Sequence, residues 1–96
     1  MLVLVTYDVQ TVDSPGKRRL RKIAKVCLDY GQRVQNSVFE CEVSESEYLL
    51  LKSEILHEMN QDEDSVRFYR LGSNYSEKIE HFGIKEPYDF EDAFII

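Results

Sequence analysis

The amino-acid sequence predicts an α+β domain in which two helices cover one face of a single β-sheet. Its 96 residues make one domain. Apolar residues recur at helical spacing in two segments, and the segments around them carry the continuous or alternating apolar patterns of strands. The elements follow one another in the order βαββαβ, and this order sets the fold class.

The first strand and the first helix are predicted in the N-terminal third of the chain. Residues 1–9 form an almost continuous run of β-forming side chains, which indicates a central strand covered on both faces. Ser14 is a good N-cap, and Pro15 fits the first helical position. We expect the helix to run from about residue 15 to Tyr30 and to stop at Gly31. Its inward-facing residues would be Leu20, Ile23, Ala24, Cys27 and Leu28.

Residues 32–43 are predicted to be extended. Phe39, Cys41 and Val43 alternate with two glutamates, which gives this end of the segment one solvent-facing side. The earlier apolar residues, Val34 and Val38, have even numbers and would therefore face the opposite side of a regular strand. A bulge or tight turn near residues 36–37 would reconcile the two halves, so the segment is expected to form a short hairpin.

The second helix and the last strand of the sheet come next. Ser44 and Glu47 have the spacing of a capping box, so a helix is expected over about residues 45–59. Apolar and polar residues alternate over 65–71, which predicts a strand that ends before the break at 72–74. The inward-facing residues of the second helix would be Tyr48, Leu51, Ile55 and Met59, with Leu56 beside them.

These elements match the ferredoxin-like arrangement, in which two helices lie on one face of the sheet. Residues 1–96 are expected to form a single domain with a C-terminal tail over 75–96. The tail ends in the apolar residues 94–96, so we expect an additional C-terminal strand on a sheet edge, its own or a partner's. A chain this short builds only a modest core, and pairing with a second copy would remedy that. The sequence therefore predicts a homodimer.

Composition limits the class of protein. Hydrophobic residues make up 43% and charged residues 31%, as in ordinary globular proteins. The longest apolar run, residues 1–5, is far too short to cross a bilayer and follows no basic segment, so we predict a cytoplasmic protein without a membrane partner. Cys27 and Cys41 lack the spacing of a zinc site and are expected to be buried thiols in a reducing compartment.

The net charge is −6, but the charges are unevenly distributed. Residues 1–39 carry seven Lys or Arg against three acids, whereas residues 40–96 carry five against fifteen. Half of the basic residues belong to the first predicted helix, at Lys17, Arg18, Arg19, Arg21, Lys22 and Lys25. Such a run is either a solvated helix face or a surface that binds phosphate groups without reading bases.

Asp8 is the strongest candidate for chemistry because it ends the first predicted strand, where the chain leaves the sheet. A hard cation such as Mg²⁺ takes oxygen ligands, often one or two carboxylates with water completing the shell. Two copies related by a dimer axis would provide two such carboxylates. The alternative is that Asp8 only satisfies backbone groups of the following turn.

Several segments resemble the Cas2 family of CRISPR-associated proteins. They are VTYDV at 5–9, GQRVQNSVFE at 31–40 and DSVRFYRLG at 64–72. The last of these, together with VTYD at the strand end and SPGKRRLR at 14–21, is most similar to the type I-C branch. The resemblance covers about residues 1–89.

This resemblance implies a symmetric homodimer whose tail strand crosses to the partner. It also implies a role in CRISPR adaptation, where the dimer bridges two dimers of the Cas1 integrase and duplex DNA runs across it. Metal-dependent endonuclease activity on RNA or DNA is implied as well. Asp8 matches the metal-binding aspartate of the family. Residues implicated in activity or nucleic-acid contact are matched by Tyr7, Arg19, Arg21, Arg33 and Phe39.

The resulting hypothesis is a magnesium-dependent endonuclease that is also the DNA-binding subunit of a spacer-integration complex. Asp8 and Tyr7 would be catalytic, and two Asp8 carboxylates would hold one Mg²⁺, or Mn²⁺ instead, at the dimer axis. Duplex DNA or single-stranded RNA would bind the six basic residues of the first helix, with Arg33 and Phe39. Two alternatives stay open: a non-catalytic scaffold that holds duplex DNA and bridges integrase dimers, and a toxin-like ribonuclease unconnected with CRISPR.

Overall fold

The computed structural model describes residues 1–83, which contain all six predicted elements and the start of the tail. The predicted additional C-terminal strand and its pairing fall on residues outside this range. The tail begins with a single 3-10 turn at Tyr75–Lys78. The main elements are β1 Leu2–Asp8, α1 Ser14–Tyr30, β2 Gly31–Gln35, β3 Val38–Glu42, α2 Glu45–Glu58 and β4 Ser65–Gly72.

The four strands form one antiparallel sheet in the order β2-β3-β1-β4. The central strand β1 pairs with β3, where Thr6 lies opposite Val38, and with β4, where Asp8 lies opposite Ser65. The hairpin predicted near residues 36–37 joins β2 and β3, and the register shifts between Arg33 and Gln35. The predicted ferredoxin-like βαββαβ fold is confirmed.

The core lies between the helices and one face of the sheet. Odd-numbered residues of β1 such as Val3, Val5 and Tyr7 face the helices, whereas even-numbered residues face the opposite side. Cys27 and Cys41 lie in the core, as predicted, and burial raises the pKa of each thiol to about 12. They are therefore neutral packing residues at physiological pH.

The N-terminal caps of the two helices differ in how well the sequence predicted them. Ser44 and Glu47 form the predicted capping box: the Ser44 amide donates to Glu47 Oε1 at 2.9 Å, and the Glu47 amide donates to Ser44 Oγ at 3.2 Å. The predicted cap of α1 is wrong by one residue, because Ser14 is already helical. Asp13 is extended and its Oδ1 accepts from the Gly16 amide at 2.9 Å, so this carboxylate is the cap.

Two leucines that were predicted to face inward point away from the core. Leu28 is 53% exposed and Leu56 is 42% exposed. Each follows a buried residue, Cys27 and Ile55 respectively, and one position along a helix turns the side chain by about 100°. Cys27 and Ile55 occupy the inward positions, so the prediction that Leu28 and Leu56 face inward, which relied on their apolar character, is wrong. None of the helices in residues 1–83 has both the length and the apolar character needed to cross a membrane.

Candidate metal and nucleic-acid site

Asp8 is the last residue of β1 and its side chain lies on the sheet face opposite the helices. It is exposed, and within residues 1–83 its carboxylate has no hydrogen-bond or ion-pair partner. The alternative that Asp8 satisfies backbone groups of the turn therefore finds no support in the described contacts. An unpaired carboxylate at a strand end is available to an external ligand.

Tyr7, the other predicted catalytic residue, points to the opposite face of the sheet. Its ring stacks on Phe39 with a centroid distance of 6.0 Å, and its hydroxyl is buried without a hydrogen-bond partner in the part of the chain described. Burial raises the pKa of Tyr7, and the nearby Arg33 guanidinium opposes this only in part. The structure therefore separates Tyr7 from the solvent face on which Asp8 lies.

Arg33 and Phe39 come together beside Tyr7, on the helix side of the sheet. The Arg33 guanidinium carbon lies 5.1 Å from the centre of the Phe39 ring, a cation–π distance. Phe39 has no exposed surface in the single chain, whereas Arg33 is exposed. Of this pair, Arg33 alone presents a surface to a nucleic acid, and the predicted contact from Phe39 stays a prediction.

The basic residues of α1 divide into two sets. Lys22 lies 3.8 Å from Glu58 and Lys25 lies 3.6 Å from Asp29, so both have acidic neighbours. The exposed residues without an ion pair in the described chain are Lys17, Arg18 and Arg21. These three are spaced one, three and four residues apart and so share one side of the first two helical turns. The available positive charge is concentrated there.

Arg19 belongs to neither set because its guanidinium is held inside the fold. Its Nε donates to Asp64 Oδ2 at 2.8 Å and its Nη2 donates to Asp64 Oδ1 at 3.2 Å, a two-pronged pair. Nη2 also donates to Glu63 Oε2 at 3.0 Å. The Arg19 side chain is only 15% exposed, and that of Asp64 is fully buried. The predicted nucleic-acid contact at Arg19 thus falls on a side chain with internal partners.

Asp64 is a site residue that sequence reasoning missed. Besides Arg19, its carboxylate accepts from the backbone amides of Asn60 at 2.9 Å and Gln10 at 3.3 Å. Burial raises the pKa of Asp64, but the hydrogen bonds from Arg19 and these two amides outweigh it and leave the pKa below its ordinary value. An acid immediately before the alternating strand β4 was the available signal.

Arg67 and Tyr69 were also missed, although the alternation of β4 carried the signal. Arg67 lies opposite Thr6 and follows Ser65 by two residues, so it is a diagonal neighbour of Asp8 on the same sheet face. Its Nη1 donates to the Tyr69 hydroxyl oxygen at 3.0 Å. The face that carries Asp8 therefore also presents an oriented cation.

The donor set around Asp8 constrains any metal site. Across residues 1–83, no cluster of three or more His, Cys, Asp or Glu is placed to hold a metal ion. One free carboxylate nevertheless suits Mg²⁺, which keeps several of its water ligands and is often held by one or two carboxylates. Among the described residues, Asp8 therefore fits as one carboxylate ligand of such an ion.

The βαββαβ order and the single antiparallel sheet define a ferredoxin-like α+β protein. The model of the family described as "CRISPR associated protein Cas2" matches residues 1–79. The chain belongs to this Cas2 family. The resemblance of the segments around Asp8, Phe39 and Arg67 is confirmed at the level of the family.

Two sequence relatives match this chain over almost its whole length, and a solved structure matches most of it. The CRISPR-associated endoribonuclease Cas2 of Chlorobaculum tepidum is 56% identical over 96 residues, which are 100% of both chains. The CRISPR-associated endonuclease Cas2 of Halalkalibacterium halodurans is 55% identical over 95 residues, 99% of each chain. The crystal structure of Streptococcus pyogenes Cas2 at pH 6.5 is 51% identical with a TM-score of 0.77, covering 86% of this chain and 100% of that one.

Proposed function

We propose that this chain is a metal-dependent endonuclease that acts as a homodimer in CRISPR adaptation. The observation that carries the proposal is the exposed Asp8 carboxylate, which has no hydrogen-bond or ion-pair partner in the described chain. By contrast, Asp64, which directly precedes Ser65 opposite Asp8, accepts four hydrogen bonds. Support comes from the relatives, whose names describe endoribonucleases and an endonuclease. The substrate class is a phosphodiester of RNA or DNA.

The proposed function uses two surfaces of the protein. Asp8 carboxylates from two subunits would hold a divalent cation, Mg²⁺ or Mn²⁺, which when bound activates water and neutralises charge on the phosphate. Without a cation, two facing carboxylates would repel each other. Arg67 lies on the same face and would contact the phosphate near the scissile bond. Lys17, Arg18 and Arg21 would hold the nucleic-acid backbone farther along, without base readout.

Tyr7 has a supporting part in this proposal. Its buried hydroxyl lies on the helix side of the sheet, opposite the face of Asp8, so it does not contact a phosphate bound at Asp8 in this conformation. We therefore assign direct chemistry to Asp8 and assign to Tyr7 the packing of the β1 end on Phe39.

The decisive experiment compares cleavage of single-stranded RNA and duplex DNA, with Mg²⁺ or Mn²⁺, by the wild type and two variants. Asp8→Asn removes one charge from the strand end without changing side-chain size, and it should abolish metal-dependent cleavage. Asp29→Asn removes one exposed charge near the C-terminal end of α1 and should retain metal-dependent cleavage. Equal cleavage by Asp8→Asn and the wild type would refute the nuclease proposal.

A scaffold without required catalysis is the second candidate, and the three unpaired cations of α1 favour it. In this role the dimer bridges Cas1 integrase dimers, the duplex lies along Lys17, Arg18 and Arg21, and the acidic half of the chain docks the integrase. Reversing Arg18 and Arg21 to Glu should then abolish DNA capture and spacer integration, whereas Asp8→Asn should spare both. The two functions use different surfaces and are compatible.

The remaining assignments extend the same proposal. Family membership argues against a toxin-like ribonuclease unconnected with CRISPR. Placement in the type I-C branch, a cytoplasmic location and pairing of the tail across the dimer are part of the proposal. A Cas1 gene and a repeat array of type I-C organisation beside this gene would support the branch assignment, and their absence would count against it.

A further inference from the structure

Arg19 and Asp64 connect three parts of the chain that are distant in sequence. Arg19 lies in the second turn of α1, Asp64 immediately precedes β4, and Gln10 belongs to the loop that leaves β1. The Asp64 carboxylate accepts from Arg19 and from the Gln10 amide at 3.3 Å. One buried carboxylate therefore ties the helix and the loop to the start of β4.

The loop that this carboxylate holds begins directly after Asp8. Gln10 is two residues beyond Asp8, and Ser65, the register partner of Asp8, directly follows Asp64. The Gln10 carbonyl oxygen also packs closely against Gly16, where a Cβ would collide with it. The loop after β1 therefore contacts Gly16 through the Gln10 carbonyl and is hydrogen-bonded to Asp64 through the Gln10 amide.

The charge of Arg19 is compensated by these same contacts. Two acids, Asp64 and Glu63, receive its three hydrogen bonds, and its side chain is largely buried. A guanidinium that contacted a phosphate would have to break the two-pronged pair and leave the buried Asp64 carboxylate without its cation. Arg18, its neighbour, is exposed and has no ion pair in the described residues, so it can bind phosphate without such a loss.

We infer that Arg19 and Asp64 form a positioning pair that holds the Asp8 strand end for cleavage, and that Arg19 does not contact the nucleic acid. The pair acts through the Gln10 amide and the first turns of α1. Phosphate contacts on this helix come from Lys17, Arg18 and Arg21. This inference rests on the proposed nuclease function and adds a structural role to it, because removing Arg19 should impair cleavage without removing a phosphate contact.

The first test is the salt dependence of binding to a labelled duplex DNA. Each phosphate contact contributes about 0.9 to the slope of log K against log salt. Arg18→Gln should therefore reduce that slope by about 0.9 for each subunit whose Arg18 contacts the duplex. Arg19→Gln should leave the slope at the wild-type value. A slope reduced equally by Arg19→Gln and Arg18→Gln would overturn the inference.

The second test is amide hydrogen exchange in the free protein, which requires neither nucleic acid nor metal. Arg19→Gln and Asp64→Asn should each accelerate exchange at Gln10 roughly tenfold, the scale of one lost charge-assisted hydrogen bond. The double variant should exchange no faster than Asp64→Asn, because the pair acts as a unit. Exchange at Gln10 that stays at the wild-type rate in Arg19→Gln would overturn the inference.

A conservative variant separates positioning from charge and also covers a failure of Asp64→Asn to fold. Arg19→Lys keeps the positive charge but cannot make two parallel hydrogen bonds to Asp64. For a positioning pair, it should lower kcat for cleavage several-fold at little change in KM and should accelerate Gln10 exchange. Wild-type kcat and wild-type exchange in Arg19→Lys would show that only charge matters and would overturn the inference.

The failure of the proposed function is distinguishable in the same set of measurements. Full cleavage by Asp8→Asn would refute the nuclease, whereas the salt slope and the Gln10 exchange rate would still decide the role of Arg19. If the wild type binds no duplex DNA, the nucleic-acid proposal fails and the exchange rates alone decide.

Discussion

Asp8 and Asp64 occupy neighbouring positions where β1 and β4 meet, yet their surroundings are opposite. Asp8, paired in register with Ser65, is exposed and has no side-chain partner in the described chain. Asp64, one residue before Ser65, is fully buried and accepts four hydrogen bonds. The comparison teaches that a carboxylate satisfied inside the fold contributes to stability, whereas an unsatisfied one nearby is available to a ligand.

The largest expected effect separates activity from stability at Asp8. Asp8→Ala should reduce metal-dependent cleavage by roughly 100-fold or more, the scale for removing a charged or polar group that stabilises a transition state. The free energy of unfolding should change by less than about 0.5 kcal/mol, because the exposed Asp8 side chain has no hydrogen bond or ion pair to lose within residues 1–83. Cleavage assays and urea unfolding of the same preparation measure both. A strongly destabilised Asp8→Ala would break the comparison.

Asp64→Ala should show the opposite pattern in its stability. The partly buried amides of Gln10 and Asn60 and the Arg19 guanidinium would lose their acceptor, at a cost of about 2 kcal/mol in the free energy of unfolding. Urea unfolding monitored by circular dichroism gives this value. Asp62→Ala, an exposed acid in the same turn, is the matched control and should be nearly neutral. Equal stabilities of the two variants would show that the Asp64 network contributes nothing.

The free energy of unfolding should depend on pH through the buried Asp64 carboxylate. Because the pKa of Asp64 is lower in the folded protein than in the unfolded chain, its contribution is present above about pH 4 and is lost as the pH falls through the folded value. Unfolding free energies of the wild type and of Asp64→Asn should therefore converge as the pH falls below about 4. A difference between them that stays constant down to pH 2 would contradict the lowered pKa.

The smallest effect concerns Asp29, an exposed carboxylate that does have a cation nearby. Its distance to Lys25 is 3.6 Å, and both side chains are more than half exposed. Asp29→Ala should change the free energy of unfolding by no more than about 0.5 kcal/mol at low salt, because an exposed ion pair contributes little and a negative charge in the last helical turn is itself unfavourable. Thermal unfolding at two salt concentrations measures it. A cost as large as that of Asp64→Ala would show that burial is not what distinguishes the two acids.

The elements of the fold were predictable because their signals are local. The capping box at Ser44, the turn near residues 36–37 and the alternation of β4 depend on residues within a few positions of one another. The cap of α1 was misplaced because Asp13 and Ser14 are adjacent and both are good N-caps, and only the backbone conformation chooses between them.

The candidate site was predictable only in part. The strand-end position of Asp8 followed from the pattern of β1, but the fate of Arg19 depends on a partner 45 residues away. A run of basic residues in the sequence does not show which of them form ion pairs with acidic residues elsewhere in the fold. Arg19 precedes the buried Ile23 by one helical turn, which places it at the margin of the inward-facing side and was the signal that could have separated it from Arg18.

Counting bound Mn²⁺ by electron paramagnetic resonance tests the central claim most directly, because free and protein-bound Mn²⁺ give different signals. If paired Asp8 carboxylates hold the cation, the wild type should bind one Mn²⁺ for every two chains. Asp8→Asn should bind none at the same concentrations, and Asp29→Asn should bind as the wild type does. Undiminished binding by Asp8→Asn would contradict the assignment of this strand end as the metal site.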